Sequence, residues 1–456
     1  MKTLRGRAVL LLIILTGAVR APLLVLLLVA GAATAQTPQP PTSTDLVNQL
    51  QAVLDRLRTS VFVAPIPDVA PIATPAELDA ALAAGLPVIT LSPTLVYPAA
   101  LSLRSSVTLQ VVDLRAGRMD LTTPLPSFRA GVTITGDGVR IIGAEVRQAT
   151  PLRDLVVVTG SHVVLDRLRV LGDPIAGAKR CIAANGPDLT IARSYAEDCF
   201  AAYPGADSQA ILAWDTPGPL LILDNYLSGG SETIMLGGGD PSSPANIPSD
   251  VTIRGNTITA RPEWQALKVG VKSRLELKNA RRVLIEDNVV EYVWGGHGQD
   301  GFLFSATVRN QDGGVPESTI EDVVVRRNVF RHGASAINLL ATDAPRQPSQ
   351  RMARVTFLAN IFEDLDWVKY TGSSKLIQIG LGPIDLTIDQ NTFVAVSKPS
   401  STVYFYGTPP LTGFTLTNNT WSPSKYGIFG DGASTAIGKA WAQYVATGTQ
   451  SGNATW

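Results

Sequence analysis

The stretch DVTIRGNTI at 250–258, with VLIEDNVV at 283–290, VVVRRNVF at 323–330 and VTFLANIF at 355–362, decides the fold. Each is a short β-branched run, a few polar residues, an Asn, and a second apolar pair. Working outward, the same phrase continues as LTIDQNTF at 386–393 and FTLTNNTW at 414–421. Towards the N-terminus it is LLILDNYL at 220–227, LTIARSYA at 189–196, VVLDRLRV at 163–170 and VRIIGAEV at 139–146. The sixth positions are Ala144, Leu168, Ser194, Asn225, Asn256, Asn288, Asn328, Asn360, Asn391 and Asn419. They are spaced by 24, 26, 31, 31, 32, 40, 32, 31 and 28 residues. A phrase repeating at this period marks a solenoid in which each unit buries its apolar face against the next. The tight Leu pattern of a leucine-rich repeat is absent.

The Asn suggests how each coil turns. Asn tolerates left-handed backbone angles better than other non-Gly residues, so it is expected at the sharp bend after the strand. With coils stacked at about 4.8 Å, its amide is expected to bond to the next in a ladder from Asn225 to Asn419. A second strand series precedes the first: RCIAAN (180–185), QAILAW (209–214), ETIMLG (232–237), RLELKN (274–279), GFLFSA (301–306), AINLLA (336–341), LIQIGL (376–381) and TVYFYG (402–407). The predicted unit is therefore strand, short turn, strand, Asn turn, short strand and a variable return loop.

Composition agrees. The 456 residues are 45% hydrophobic and 17% charged, with 38 basic and 38 acidic side chains. The absence of a basic excess argues against a nucleic-acid partner. At the N-terminus, Lys2, Arg5 and Arg7 precede apolar runs at 8–19 and 21–30 and an Ala33-Thr34-Ala35 cleavage pattern. This reads as a signal peptide over 1–35, with an uncleaved membrane anchor as the alternative. A Pro-rich tether and short helix are expected over 36–64, the β-helix over 65–430 and a C-terminal cap over 431–456. The product is expected to be a monomer, secreted or periplasmic or held at the cell surface, and free of the membrane after cleavage. Cys181 and Cys199 fall at different phases of the repeat, which argues against direct stacking. An oxidising compartment permits a disulfide and burial permits two packed thiols.

The strand order resembles the pectin-lyase-like superfamily of right-handed parallel β-helices. Asp207-Ser208-Gln209-Ala210-Ile211 and Asp250-Val251-Thr252-Ile253-Arg254-Gly255-Asn256 are counterparts of that superfamily's two strand motifs. The stretch TPAELDAALAAGLPVITLSPTLVY (74–97) is similar to its entry, where an amphipathic helix caps the first coil. The run from LELKNARRVLIEDN to GQDGFLFSATVRNQDGG is similar to exported bacterial β-helix proteins. The resemblance implies an all-β, right-handed, single-stranded parallel β-helix of about ten or more coils. It hosts lyases, hydrolases, esterases and structural members, so fold alone assigns no activity.

The resemblance also implies a groove along the outward face of the strand before the Asn-bearing one, flanked by the loops after it. The loops at 258–272, 291–299 and 307–320 direct attention to residues 207–310. Alternation in RLELKN turns Leu275 and Leu277 inward and Arg274, Glu276 and Lys278 outward. These three are the catalytic candidates. Trp214, Asp207, Glu232, Asp300, Arg309, Tyr404 and Tyr406 are the candidate substrate-binding residues. In a lyase of this fold, a cation neutralises a uronate carboxylate and a Lys or Arg takes the neighbouring proton. Lys272 and Arg309 join Arg274 and Lys278 as candidates for these roles, with Glu232, Glu276 and Asp240 as possible Ca2+ ligands. Related alginate and chondroitin lyases carry a carboxylate pair several residues before the Lys, whereas Glu276 stands two before Lys278. Gly296-His297-Gly298 matches one element of the polygalacturonase signature without its carboxylate elements. The expectation is thus an exported β-helix that binds, and in the enzymatic reading cleaves, an acidic polysaccharide, as a lyase or glycoside hydrolase relative. The alternative is a non-catalytic glycan-binding or surface module whose charges pair with one another.

Overall fold

The computed structural model describes residues 70–456, apart from 112–113, 115–116, 174, 201–206, 267–269, 297 and 433–438. The signal peptide and tether expected over 1–64, and His297, lie outside the described residues. A helix, Pro75–Ala83, opens the described chain. Thr74 and Glu77 cap its first turn reciprocally, and it buries Leu78 and Ala81 in the core.

From there the chain winds in stacked coils whose strands pair only in parallel with the coils before and after. One sheet has 12 strands, running from Leu101–Leu103 through Glu232–Leu236, Ser273–Leu277 and Phe302–Thr307 to Ile428–Gly430. The other, of 24 strands, carries the Asn-containing phrases on two flanks. The strands Arg140–Arg147 and Val163–Leu171 run through the bend and pair with both flanks. The register follows the repeat. Residues after the sixth positions pair as Tyr195–Tyr226, Tyr226–Thr257, Thr257–Val289, Val289–Val329, Val329–Ile361, Ile361–Thr392 and Thr392–Thr420.

One-residue alternation then fills the core with files of like residues. Ile222, Ile253, Ile285, Val325, Phe357, Ile388 and Leu416 lie on successive coils and are all fully buried. Phe330, Phe362 and Phe393 stack face to face at 4.6 and 4.7 Å.

The Asn side chains hydrogen-bond from coil to coil. In each step the backbone N–H and the Nδ2 of one Asn both donate to the Oδ1 of the next, at 2.9–3.1 Å from Asn225 to Asn419. Ser194 donates its N–H into the start of this series, and Asn453 extends it past Asn419. The left-handed residue, however, is the one before each Asn. Asp224, Asp287, Arg327, Ala359, Gln390 and Asn418 have φ between 54° and 58° in five of the six cases, with Ala359 at 53°. The Asn takes the geometry that lets its amide reach along the stack, and its predecessor carries the backbone strain. Asn328→Ala removes the partners of the Asn288 N–H and amide and of the Ile285 carbonyl. It is expected to cost about 2 kcal/mol in chemical denaturation, whereas Ala at Gln390, an exposed residue before Asn391, costs far less.

Cys181 and Cys199 form a disulfide, with Cα atoms 5.5 Å apart. The phase difference excludes stacking on adjacent coils but not bridging within one. Cys181 sits on Arg180–Ala184 and Cys199 ends Tyr195–Cys199, and both face the core. After residue 431 come a helix, Lys439–Tyr444, and the strands Val445–Ser451 and Ala454–Thr455, which pair with the preceding coil.

Candidate functional site

On the outward face of the 12-strand sheet, one file of side chains runs Met235, Glu276, Ser305, Asn338, Gln378, Tyr404 and Phe429, each on the next coil. Beside it, Thr307, Leu340, Gly380 and Tyr406 form a parallel file, which Lys278 heads. Where the two begin, a pocket of about 200 Å3 opens between Lys272, Glu276, Lys278, Asp300, Arg309 and Tyr406. Tyr406 reaches back to it because Gly380 has no side chain. A Cβ there would stand 2.2 Å from the Tyr406 Cζ.

The charges form a chain through the sheet face. Lys278 Nζ lies 2.8 Å from Glu276 Oε1 and donates to Thr307 Oγ1 at 3.1 Å. Lys272 Nζ sits 3.6 Å from the other Glu276 oxygen and 3.5 Å from Glu232. Glu232 Oε2 accepts from Ser231 at 2.6 Å and Gln209 at 2.8 Å. Arg309 pairs with Asp343 at 2.6 Å. Side-chain exposure separates the signs. Glu276 and Asp343 are 1% and 2% exposed, whereas Lys272 and Arg309 are 26% and 36% exposed. Cationic tips therefore meet the pocket while these carboxylates stand behind them, and Asp300 is the exposed acid at its rim.

Burial and neighbours divide the protonation states. Burial, with the negative field of Glu276 and Asp207, raises the Glu232 carboxyl to about 7. Burial also disfavours charge on Glu276, but Lys278 and Lys272 outweigh it and hold the carboxyl below its ordinary value. Burial lowers the pKa of Lys278 in spite of Glu276, with Lys272 acting in the same direction as burial. Burial opposes charge on Lys272 too, yet Glu276, Glu232 and Asp207 together raise its pKa. The pocket thus offers a firmly charged ammonium, Lys272, beside an amine that deprotonates more readily, Lys278.

Because the folded-state pKa of Glu232 is raised, its contribution to stability is fully present below the unfolded value of 4.5 and is lost as pH rises through about 7. Glu232→Gln keeps an oxygen for Ser231 and Gln209. The expected result is a thermal midpoint that loses this fall between about pH 4.5 and 7, read by circular dichroism across pH.

No protein-family model matches the chain, and no curated protein sequence does. Among solved structures it is similar to the catalytic unit of a thermostable GH87 α-1,3-glucanase from Streptomyces thermodiastaticus. The TM-score is 0.56 at 14% identity, covering 86% of this chain and 71% of that one. The periplasmic alginate epimerase AlgG matches at a TM-score of 0.50 and 9% identity, over 80% of this chain and 79% of that one. The chain is a right-handed parallel β-helix, the fold of these structures.

Within this β-helix, the residues singled out from the sequence separate. Glu276, Lys278, Asp300, Arg309 and Tyr406 meet at the pocket, with Lys272. Tyr404 lies next to Tyr406, with ring centroids 6.3 Å apart. Glu232 is fully buried behind Lys272, and Asp207 is exposed nearby. Trp214 stands two coils before Lys278, with the Arg180 guanidinium 5.0 Å over its ring.

Arg274 does not belong to the site, contrary to expectation. It is fully buried, and its guanidinium donates to the carbonyls of Gly229, Gly230, Ser231 and Thr259 and to the Thr233 hydroxyl at 2.8–3.3 Å. Alternation turned it away from the core, but the turn at 229–231 covers it. The Ca2+ set also fails to assemble. Lys272 pairs with both Glu232 and Glu276, Asp240 accepts the N–H groups of Asp312 and Gly314, and the described residues hold no group of three or more metal-ligating side chains.

Sequence reasoning did not single out Gln209, Ser231, Asn338, Gln378 or Asp343. A signal existed for two of them. The third positions of RLELKN, AINLLA, LIQIGL and TVYFYG are Glu276, Asn338, Gln378 and Tyr404, one file of the groove.

Proposed function

We propose that this protein is an exported β-helix that binds an acidic polysaccharide along its 12-strand face and cleaves it by β-elimination at Lys278. The observation that carries the reading is the cationic lining of the pocket, with Lys272 and Arg309 reaching solvent, Lys278 on the floor beside the buried Glu276, and Asp343 buried behind Arg309. A uronate carboxylate placed between Lys272 and Arg309 has its charge neutralised, which makes the adjacent C–H more acidic. Lys278, whose pKa burial lowers, takes that proton. The electron pair forms a carbon–carbon double bond as the glycosidic C–O bond breaks, and the departing oxygen takes a proton from water.

Export rests on the sequence of residues 1–35; among the described residues no helix is long and apolar enough to cross a membrane. The α-1,3-glucanase and alginate epimerase of similar fold are named for action on polysaccharides, which suits a glycan ligand, but the choice of an acidic one comes from the pocket. Incubation with a panel of uronate polysaccharides should yield unsaturated products absorbing in the ultraviolet. Binding without any such product would replace the lyase by a non-catalytic glycan-binding module, and neither binding nor product would remove the glycan reading.

A further inference from the structure

We propose that a second sugar unit of the same acidic chain rests on an aromatic platform of Tyr404, Phe429 and Tyr426, whose first ring is four coils beyond Glu276. This inference rests on the reading of the pocket as a uronate site and extends it to the Tyr404 end of the same face. The register fixes the distance. Glu276, Ser305, Asn338, Gln378 and Tyr404 occupy one file on five successive coils, which is about 19 Å at roughly 4.8 Å per coil.

The platform combines ring faces with positive charge. Tyr404 and Phe429 are paired neighbours with centroids 6.3 Å apart, and Tyr426 stacks on Phe429 at 5.1 Å. All three rings are half-buried, so part of each meets solvent. Lys375 Nζ lies 4.2 Å over the Tyr404 ring, and Lys425 Nζ lies 4.8 Å over Tyr426. Two acids stand near: Asp431, which accepts the hydroxyl of Tyr444, and the exposed Asp300, whose field reaches Lys375. Sugars present an apolar ring face and equatorial polar groups, which suits an aromatic surface edged by hydrogen-bonding side chains. The two ammonium groups add a preference for a carboxylate or sulfate.

The surface between pocket and platform is also suited to a chain. Gln378 donates to Asn338 at 3.1 Å and accepts from Lys375 at 2.9 Å, so a line of amides joins the two ends and offers donors and acceptors to hydroxyls. Tyr406, folded over Gly380, bridges the gap from the side. Pocket and platform thus form one continuous strip on one sheet face.

The experiment measures affinity by calorimetry for a uronate disaccharide and for an oligomer long enough to span both ends. Tyr426→Ala, at the far edge of the platform where the ring stacks on Phe429, is expected to leave disaccharide affinity unchanged and to weaken the long oligomer about tenfold, the scale of one lost ring contact. Lys375→Met, which keeps most of the side chain's length, is expected to weaken the long oligomer and flatten its salt dependence. Equal weakening at both lengths, or none in either variant, would overturn the platform. Failure of the wild-type protein to bind either ligand would instead remove the uronate pocket on which the inference rests.

Discussion

Lys278→Ala is expected to lower the rate of uronate cleavage by about 10²–10⁴-fold while leaving the fold intact. The side chain is 9% exposed and ends on Glu276 and Thr307 at the pocket floor, so its removal leaves the core files untouched. Lys278→Arg should not rescue, because a guanidinium stays protonated where the amine does not. The pH dependence has a definite sign. Proton abstraction needs the neutral amine, so the rate should rise with pH through a value below that of an ordinary lysine, since burial lowers this pKa. Glu276→Gln removes the carboxylate that favours the ammonium and should move that rise to lower pH. A rise at an unshifted lysine value in the wild type, or full activity in Lys278→Ala, would take Lys278 out of the chemistry.

The largest expected loss of stability comes from Arg274→Met, about 3–5 kcal/mol in guanidinium denaturation. The guanidinium gathers the carbonyls of Gly229, Gly230 and Ser231 from one turn and that of Thr259 from the next coil. A buried ionic group can often be exchanged for apolar residues when both partners are replaced. Here the partners are backbone carbonyls and cannot be replaced, so the apolar side chain leaves acceptors without donors. Local consequences should follow. The same turn carries Ser231, which bonds Glu232, so the Glu232–Lys272–Glu276 arrangement should loosen along with it. Arg274→Lys should recover only part of the loss, because one ammonium cannot span the turn and Thr259 as the forked guanidinium does.

The contrast between these two neighbours shows what was legible in the amino-acid sequence. Arg274 and Lys278 share a strand face, and alternation places both outside the core. It does not say whether a turn covers that face, which depends on the path of residues 229–231, a short link between strands with no periodic signal. The coil register was legible because the Asn phrase repeats, and the residue after each sixth position, from Tyr195 to Thr420, pairs by it. In the second strand series GFLFSA pairs two residues away from its apparent alignment, with Ser305 opposite Glu276. An offset of two preserves which face a side chain takes but changes its neighbours, so face was readable and file was not. The disulfide was hidden for a related reason. Phase compares one coil with the next, whereas Cys181 and Cys199 meet across a single coil.

On the proposed reading, the cationic pocket at Lys272, Lys278 and Arg309 holds the carboxylate of a uronate chain lying on the 12-strand face. A crystal structure of the Lys278→Ala protein with a uronate oligomer tests it most directly. A carboxylate is expected within hydrogen-bonding distance of Lys272 and Arg309, with the chain running over Asn338 and Gln378 towards Tyr404. Oligomer bound on either flank of the 24-strand sheet, with the pocket left unliganded, would contradict it.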